Sequence, residues 1–144
     1  FDIALLPSGS IDLPNGDLRL ITDVQAGGME SLGELQYESS VGRQPWEPHG
    51  DTVCLDWQQV QGSLRVRNRH TGDRFRPLGM RGDKKLHDMF VDEGVPRRWR
   101  DRLPVVTDSQ GILWVPGTRP ADRAKITSST RQILRVQVLH RTDV

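Results

Sequence analysis

Apolar residues in this chain come in short runs, each closed by a proline, a glycine or a polar turn, and that punctuation restricts the fold to many short strands. Ile3–Leu6 is broken by Pro7-Ser8-Gly9-Ser10. Pro14-Asn15-Gly16-Asp17 predicts a turn, because Asn-Gly tolerates the positive φ of a hairpin. Leu18, Leu20 and Thr22 alternate with Arg19 and Ile21, so a strand follows. Leu64 and Val66 alternate with Arg65, Arg67 and Arg69, which predicts a strand with one apolar face and one guanidinium face. His70-Thr71-Gly72-Asp73 turns the chain. Val105–Thr107 and Ile112–Val115 flank Asp108-Ser109-Gln110-Gly111, the pattern of a hairpin. Gln132–His140 puts Leu134, Val136 and Val138 on one face of a last strand.

Two short helices are expected within this pattern. Asp83 is the expected N-cap of one that reaches Asp92, with Leu86, Met89 and Phe90 on its buried face and Gly94 as its stop. Pro96 is expected at the first position of the other, Arg97 to Arg102, which Pro104 ends. The sum is a β-rich α+β domain of about seven or eight strands and two short helices. Residues 39–51 contain Gly42, Pro45, Pro48 and Gly50 and read as a loop. That loop is the best candidate for a boundary between subdomains. The chain is read as an acidic β-rich leading segment, 1–60, and a basic C-terminal domain, 61–144, the two together forming one compact unit.

Charge divides the chain in the same place. Residues 1–60 carry a net charge of −8 and residues 61–144 a net charge of +9, which the overall +1 conceals. Between Arg65 and Arg102, twelve bases face six acids. Such asymmetry points to a polyanionic partner, and arginine is the better residue for bidentate phosphate contact. A solvated basic face is the alternative that charge alone leaves open.

Other chemistry finds little support. No segment approaches the ~20 apolar residues of a membrane span, and nothing reads as a signal peptide. Cys54, the single cysteine, lies in the apolar run Val53-Cys54-Leu55 and is expected to be a small buried hydrophobe. This favours the cytoplasm. The chain starts at Phe1 and not Met, so a piece of a longer protein is expected. Ser8-Gly9-Ser10-Ile11-Asp12-Leu13 resembles a pyrophosphate-type ATPase loop but lacks its second glycine and final serine. Gly79-Met80-Arg81-Gly82-Asp83-Lys84-Lys85 lacks the Gly-Lys-Ser/Thr ending of a P-loop. His49, His70, His87 and His140 show no close pairing, and His87 is expected on the exposed side of its helix. Asp92 and Glu93 read as solvated helix-end charges. No catalytic, cofactor-binding or metal-binding residue is expected in this chain.

From Leu64 to Thr130 the chain resembles the C-terminal domain of tRNA(Ile)-lysidine synthases. The resemblance rests on Arg67-Asn68-Arg69, Gly72-Asp73-Arg74-Phe75-Arg76-Pro77-Leu78-Gly79, Lys84-Lys85-Leu86 and Val95-Pro96-Arg97-Arg98. It continues in Arg102-Leu103-Pro104-Val105-Val106, Ile112-Leu113-Trp114-Val115-Pro116-Gly117, Arg119, Arg123 and Lys125-Ile126-Thr127. Leu13-Pro14-Asn15-Gly16 and Val53-Cys54-Leu55-Asp56 resemble the family's preceding β segment more loosely.

The resemblance implies a β-sandwich-like module similar to one in a phenylalanyl-tRNA synthetase subunit. It implies a parent ligase of tRNA processing that joins lysine to the wobble cytidine of tRNA(Ile), using ATP. That chemistry belongs to an N-terminal catalytic domain absent from this chain, which is therefore expected to be inactive alone. The implied partners are tRNA(Ile) and that catalytic domain, with homo-oligomers left open. Carried onto this sequence, the RNA-binding candidates are Arg67, Arg74, Lys84, Lys85, Arg97, Arg98, Arg102 and Arg119. Local pairing of Arg74 with Asp73, or of Arg102 with Asp101, is the competing expectation. Trp99 is expected in the core and not on a base. The alternative function is a general RNA-binding accessory domain of a synthetase-like or ribosomal factor.

Overall fold

Frequent turns leave no long helix and only two strands longer than six residues among the described residues. The computed structural model of the chain describes residues 1–14, 17–32, 37–38, 48 and 50–141. Its strands are β1 (Asp2–Ala4), β2 (Gly9–Asp12), β3 (Leu18–Ala26), β4 (Tyr37–Glu38), β5 (Asp51–Asp56), β6 (Arg65–Arg67), β7 (Arg74–Phe75), β8 (Lys84–Lys85), β9 (Val105–Asp108), β10 (Gly111–Trp114) and β11 (Gln132–His140). Its α-helices are α1 (Met29–Leu32), α2 (Leu86–Asp92) and α3 (Arg97–Arg100).

These strands form a five-stranded sheet in the order β2-β3-β11-β5-β4, a four-stranded sheet in the order β1-β6-β9-β10, and the small ribbon β7-β8. Every pairing among them is antiparallel. The period-2 alternation in β11 explains its central place. Leu134, Val136 and Val138 are fully buried, and Leu55 and Val53 lie beside the first two in register. The same core takes Val66, Val105, Val106, Leu113 and Trp114 from the four-stranded sheet, so the two sheets share one interior. Phe90, Trp99 and Leu86 cap it from the helices. On the other face of β11, Ile133 joins Cys54 and Ile126 in a smaller apolar cluster. Burial there pushes the Cys54 thiol up from its ordinary value.

The sequence expectations meet this fold unevenly. The β-rich α+β class, the turn at Gly72 and the buried trio Leu86, Met89 and Phe90 agree with the structure. Eleven strands among the described residues exceed the seven or eight expected, because β4, β7 and β8 have two residues each and show no alternation. A third α-helix, α1, was likewise not expected. Asp83 does not cap α2. Lys85 occupies that position without a side-chain hydrogen bond, and the Leu86 N–H instead donates to the Asp73 carbonyl at 2.9 Å. A tertiary acceptor thus replaces the local cap. Pro96 is the N-cap of α3 and not its first residue, and the helix stops at Arg100 instead of Arg102. Gly9 and Ser10, read in the sequence as part of the break after Leu6, open β2. Asn15, Gly16 and most of the 39–51 loop lie outside the described residues.

Candidate nucleic-acid interface

The basic half delivers its charge through three elements: the β6 strand and the turn after it, the β7-β8 ribbon, and α3. In the ribbon Arg74 stands directly opposite Lys85, and Phe75 opposite Lys84. Directly opposed residues of an antiparallel pair project to the same face. Phe75 is buried, so its face points to the core and the Arg74–Lys85 face points to solvent. Two like charges so placed disfavour the ribbon by themselves. The fold holds it regardless, through the Leu86 N–H to Asp73 carbonyl bond, the Asp122 N–H to Arg76 carbonyl bond and the bridge between Pro77 and Ala121.

The eight candidate residues separate into two groups. Arg67 makes a two-pronged contact with Asp73, at 2.9 and 3.0 Å, and both side chains are largely buried. Burial alone would raise the Asp73 carboxyl, but the Arg67 guanidinium and the His70 N–H more than offset it and hold it below the usual carboxylate range. Lys84 pairs with Asp92. Arg102 pairs with Asp17 and lies 4.3 Å from the ring centroid of buried Trp99. Arg119 donates to the Leu78 carbonyl at 3.3 Å. Those four are tied into the fold. Arg74, Lys85, Arg97 and Arg98 are exposed, and among the described residues no acid pairs with them.

The local pairings expected from adjacency do not form. Asp73 is taken by Arg67 instead of Arg74, and Asp101 by Arg69, at 2.7 Å, instead of Arg102. Sequence reasoning also missed the pair between Arg123 and Asp108, closed by two bonds of 2.7 and 2.9 Å. Neighbour rules cannot find such partners, because only the tertiary fold brings Arg123 back to Asp108, at the end of β9. Trp99 sits in the core as expected.

Two clefts lie at the ends of the ribbon. One, of about 270 Å³, is bounded by the Arg69–Asp73 turn and by Lys85–His87. The other, of about 250 Å³, is bounded by Arg74, Arg76, Asp83 and Arg123. Among the described residues no group of three or more His, Cys, Asp or Glu side chains could hold a metal ion. Among the described residues no helix is long and apolar enough to cross a membrane. The arrangement offers outward cations on the ribbon, Arg74 and Lys85, and on α3, Arg97 and Arg98, a distribution suited to a polyanion.

Comparisons with known proteins bear on the family and the fold. Residues 64–138 match the family model described as TilS substrate C-terminal domain. The tRNA(Ile)-lysidine synthase of Symbiobacterium thermophilum is 38% identical over 122 residues, covering 85% of this chain and 25% of that protein. The enzyme of the same name from Caldanaerobacter subterraneus subsp. tengcongensis is 42% identical over 83 residues, covering 58% of this chain and 18% of that protein. The chain therefore spans about a fifth to a quarter of the length of these relatives. Among solved structures, a TilS C-terminal domain superposes with a TM-score of 0.71 at 29% identity, covering 97% of this chain and 96% of that one. An N-terminal fragment of the phenylalanyl-tRNA synthetase β-subunit from Pyrococcus horikoshii superposes with a TM-score of 0.54 at 15% identity, covering 64% of this chain and 29% of that one. That second likeness is one of fold alone.

Proposed function

The chain belongs to the family of lysidine-synthase C-terminal substrate domains, and from that premise we propose that it grips tRNA on behalf of a longer, cytoplasmic tRNA(Ile)-lysidine synthase. In this reading a catalytic domain elsewhere in the parent uses ATP and lysine to modify the wobble cytidine of tRNA(Ile), and this domain selects the tRNA. The observation that carries the reading is the division among the candidate bases. Arg74, Lys85, Arg97 and Arg98 stay exposed and without an acid partner among the described residues, while acids take Arg67, Lys84 and Arg102. Cations left uncompensated on a stable scaffold favour a charged ligand, and the phosphates of an A-form stem match such a distributed surface.

The test is binding of the chain to tRNA(Ile) bearing the CAU anticodon and to elongator methionine tRNA, over a salt series. Tight, salt-sensitive binding that prefers tRNA(Ile) is expected. Arg97→Ala with Arg98→Ala should lower the slope of log affinity against log salt by about 1.5, since each phosphate left unneutralised removes roughly 0.7–0.9. The fold should survive, because both side chains are exposed. Equal binding of both tRNAs would favour the second reading, a non-selective RNA-binding module. No binding at low salt would overturn both.

A further inference from the structure

His70 and His87 belong to different elements, a turn and helix α2, yet both border the cleft at one end of the β7-β8 ribbon. We propose that this cleft seats one phosphodiester group of the bound RNA. The proposal rests on the RNA-binding reading above and assigns to it a specific contact that the exposed arginines do not include.

Each acid of the cleft wall already has a guanidinium. Both Asp73 oxygens accept from Arg67, and one also accepts the His70 N–H at 2.7 Å. Asp101 accepts from the Nε of Arg69 at 2.7 Å, and the Arg69 guanidinium lies 5.8 Å from the Phe90 ring centroid. Lys85 is the wall cation that no acid compensates among the described residues, and Arg74 stands opposite it on the ribbon. The cleft thus combines an ammonium, two imidazoles and a braced guanidinium, all of them groups that donate hydrogen bonds to a phosphate oxygen. A metal ion is not the matching ligand, since no set of three suitable donors converges among the described residues. The space fits the ligand as well. A side chain added at Gly72 would meet no atom within 4 Å, so the cleft is open above that glycine, and its volume of about 270 Å³ leaves room for the adjoining sugar. The largely buried Arg67–Asp73 pair ties the turn to β6 without any ligand, and order present before binding favours it.

The experiment uses the chain with nitrogen-15 in its histidine rings, followed by NMR during titration with tRNA(Ile) and, separately, with inorganic phosphate. Ring signals of His70 and His87 should move with the RNA, while that of His140 should not. Lys85→Gln should keep the wild-type circular dichroism and lower the log–log salt slope by about 0.7–0.9, the share of one phosphate. If RNA binds and Arg97→Ala weakens it, but His70 and His87 stay silent and Lys85→Gln leaves the slope unchanged, the cleft assignment fails while the RNA reading stands. If inorganic phosphate at the same phosphate concentration moves both rings as far as RNA does, the site is one for small anions and the assignment to RNA fails. Absence of any RNA binding would overturn the reading and the assignment together.

Discussion

Four hydrogen-bond donors converge on Asp108: the backbone N–H groups of Gln61 and Gln110, both at 2.9 Å, and the two terminal nitrogens of Arg123. Its side chain is 0% exposed, so none of these donors is replaced by water. Burial alone would raise the Asp108 carboxyl, yet the Arg123 guanidinium and the two N–H groups more than offset it and hold it below the usual range. Asp73 is lowered in the same way. Asp108→Ala should cost about 2–3 kcal/mol, since it removes charge-assisted bonds to Arg123 and takes the acceptor from two part-buried N–H groups. The urea midpoint at pH 7 measures this. The sign of the pH effect follows from the lowered folded value. The stabilisation is full above the unfolded carboxyl value of about 4, and it is lost as pH falls through the folded value below that. The wild type should therefore lose more stability than Asp108→Asn between pH 4 and pH 2. At this scale the sequence was least legible. Arg67, Arg69, Arg74 and Arg102 look alike in it, yet the fold gives acids to Arg67, Arg69 and Arg102 and, among the described residues, none to Arg74, a division that no neighbour rule contains.

Elements were legible in proportion to their length. β11 and β3, nine residues each, carry enough alternation to be read from the apolar pattern, and β11 has the bounds expected of it. The β7-β8 ribbon was invisible, because two residues cannot express a period and its stability comes from Asp73, Asp122 and Ala121 outside it. The candidate site was half legible for the same reason. Its residue types and their order were plain, but the opposition of Arg74 and Lys85 depends on a pairing that the sequence does not announce. The ribbon's approach turn supplies a test. Gly72 has a φ of 87° with open space where a side chain would stand. Gly72→Ala should thus cost only the backbone strain, about 1 kcal/mol, and Gly72→Asn less, because asparagine tolerates that region better. Thermal unfolding of the two variants at equal pH gives the comparison.

For the whole molecule, the charge division does not coincide with the division of the sheets. β1 of the acidic segment pairs with β6 of the basic part, and β3 and β5 enclose β11. We propose that residues 1–60 and 61–144 fold as one unit. Residues 61–144 produced alone should show no cooperative urea transition, because β11 would keep neither partner and its three fully buried residues Leu134, Val136 and Val138 would lose one wall of the core. A sigmoidal transition with a normal slope would oppose this. Charge patterning was legible at once, but it reports the surface and not which strands are neighbours.

The position of β11 also governs how the protein is made. Its two partners, β3 and β5, are complete by Asp56, but the strand that joins them begins only at Gln132. At roughly 5–20 residues per second, a ribosome needs about 4–15 s to cross the intervening stretch. Throughout that interval the nascent chain carries two unpaired strand edges, so the rate of translation sets how long this domain is exposed to chaperones and to aggregation.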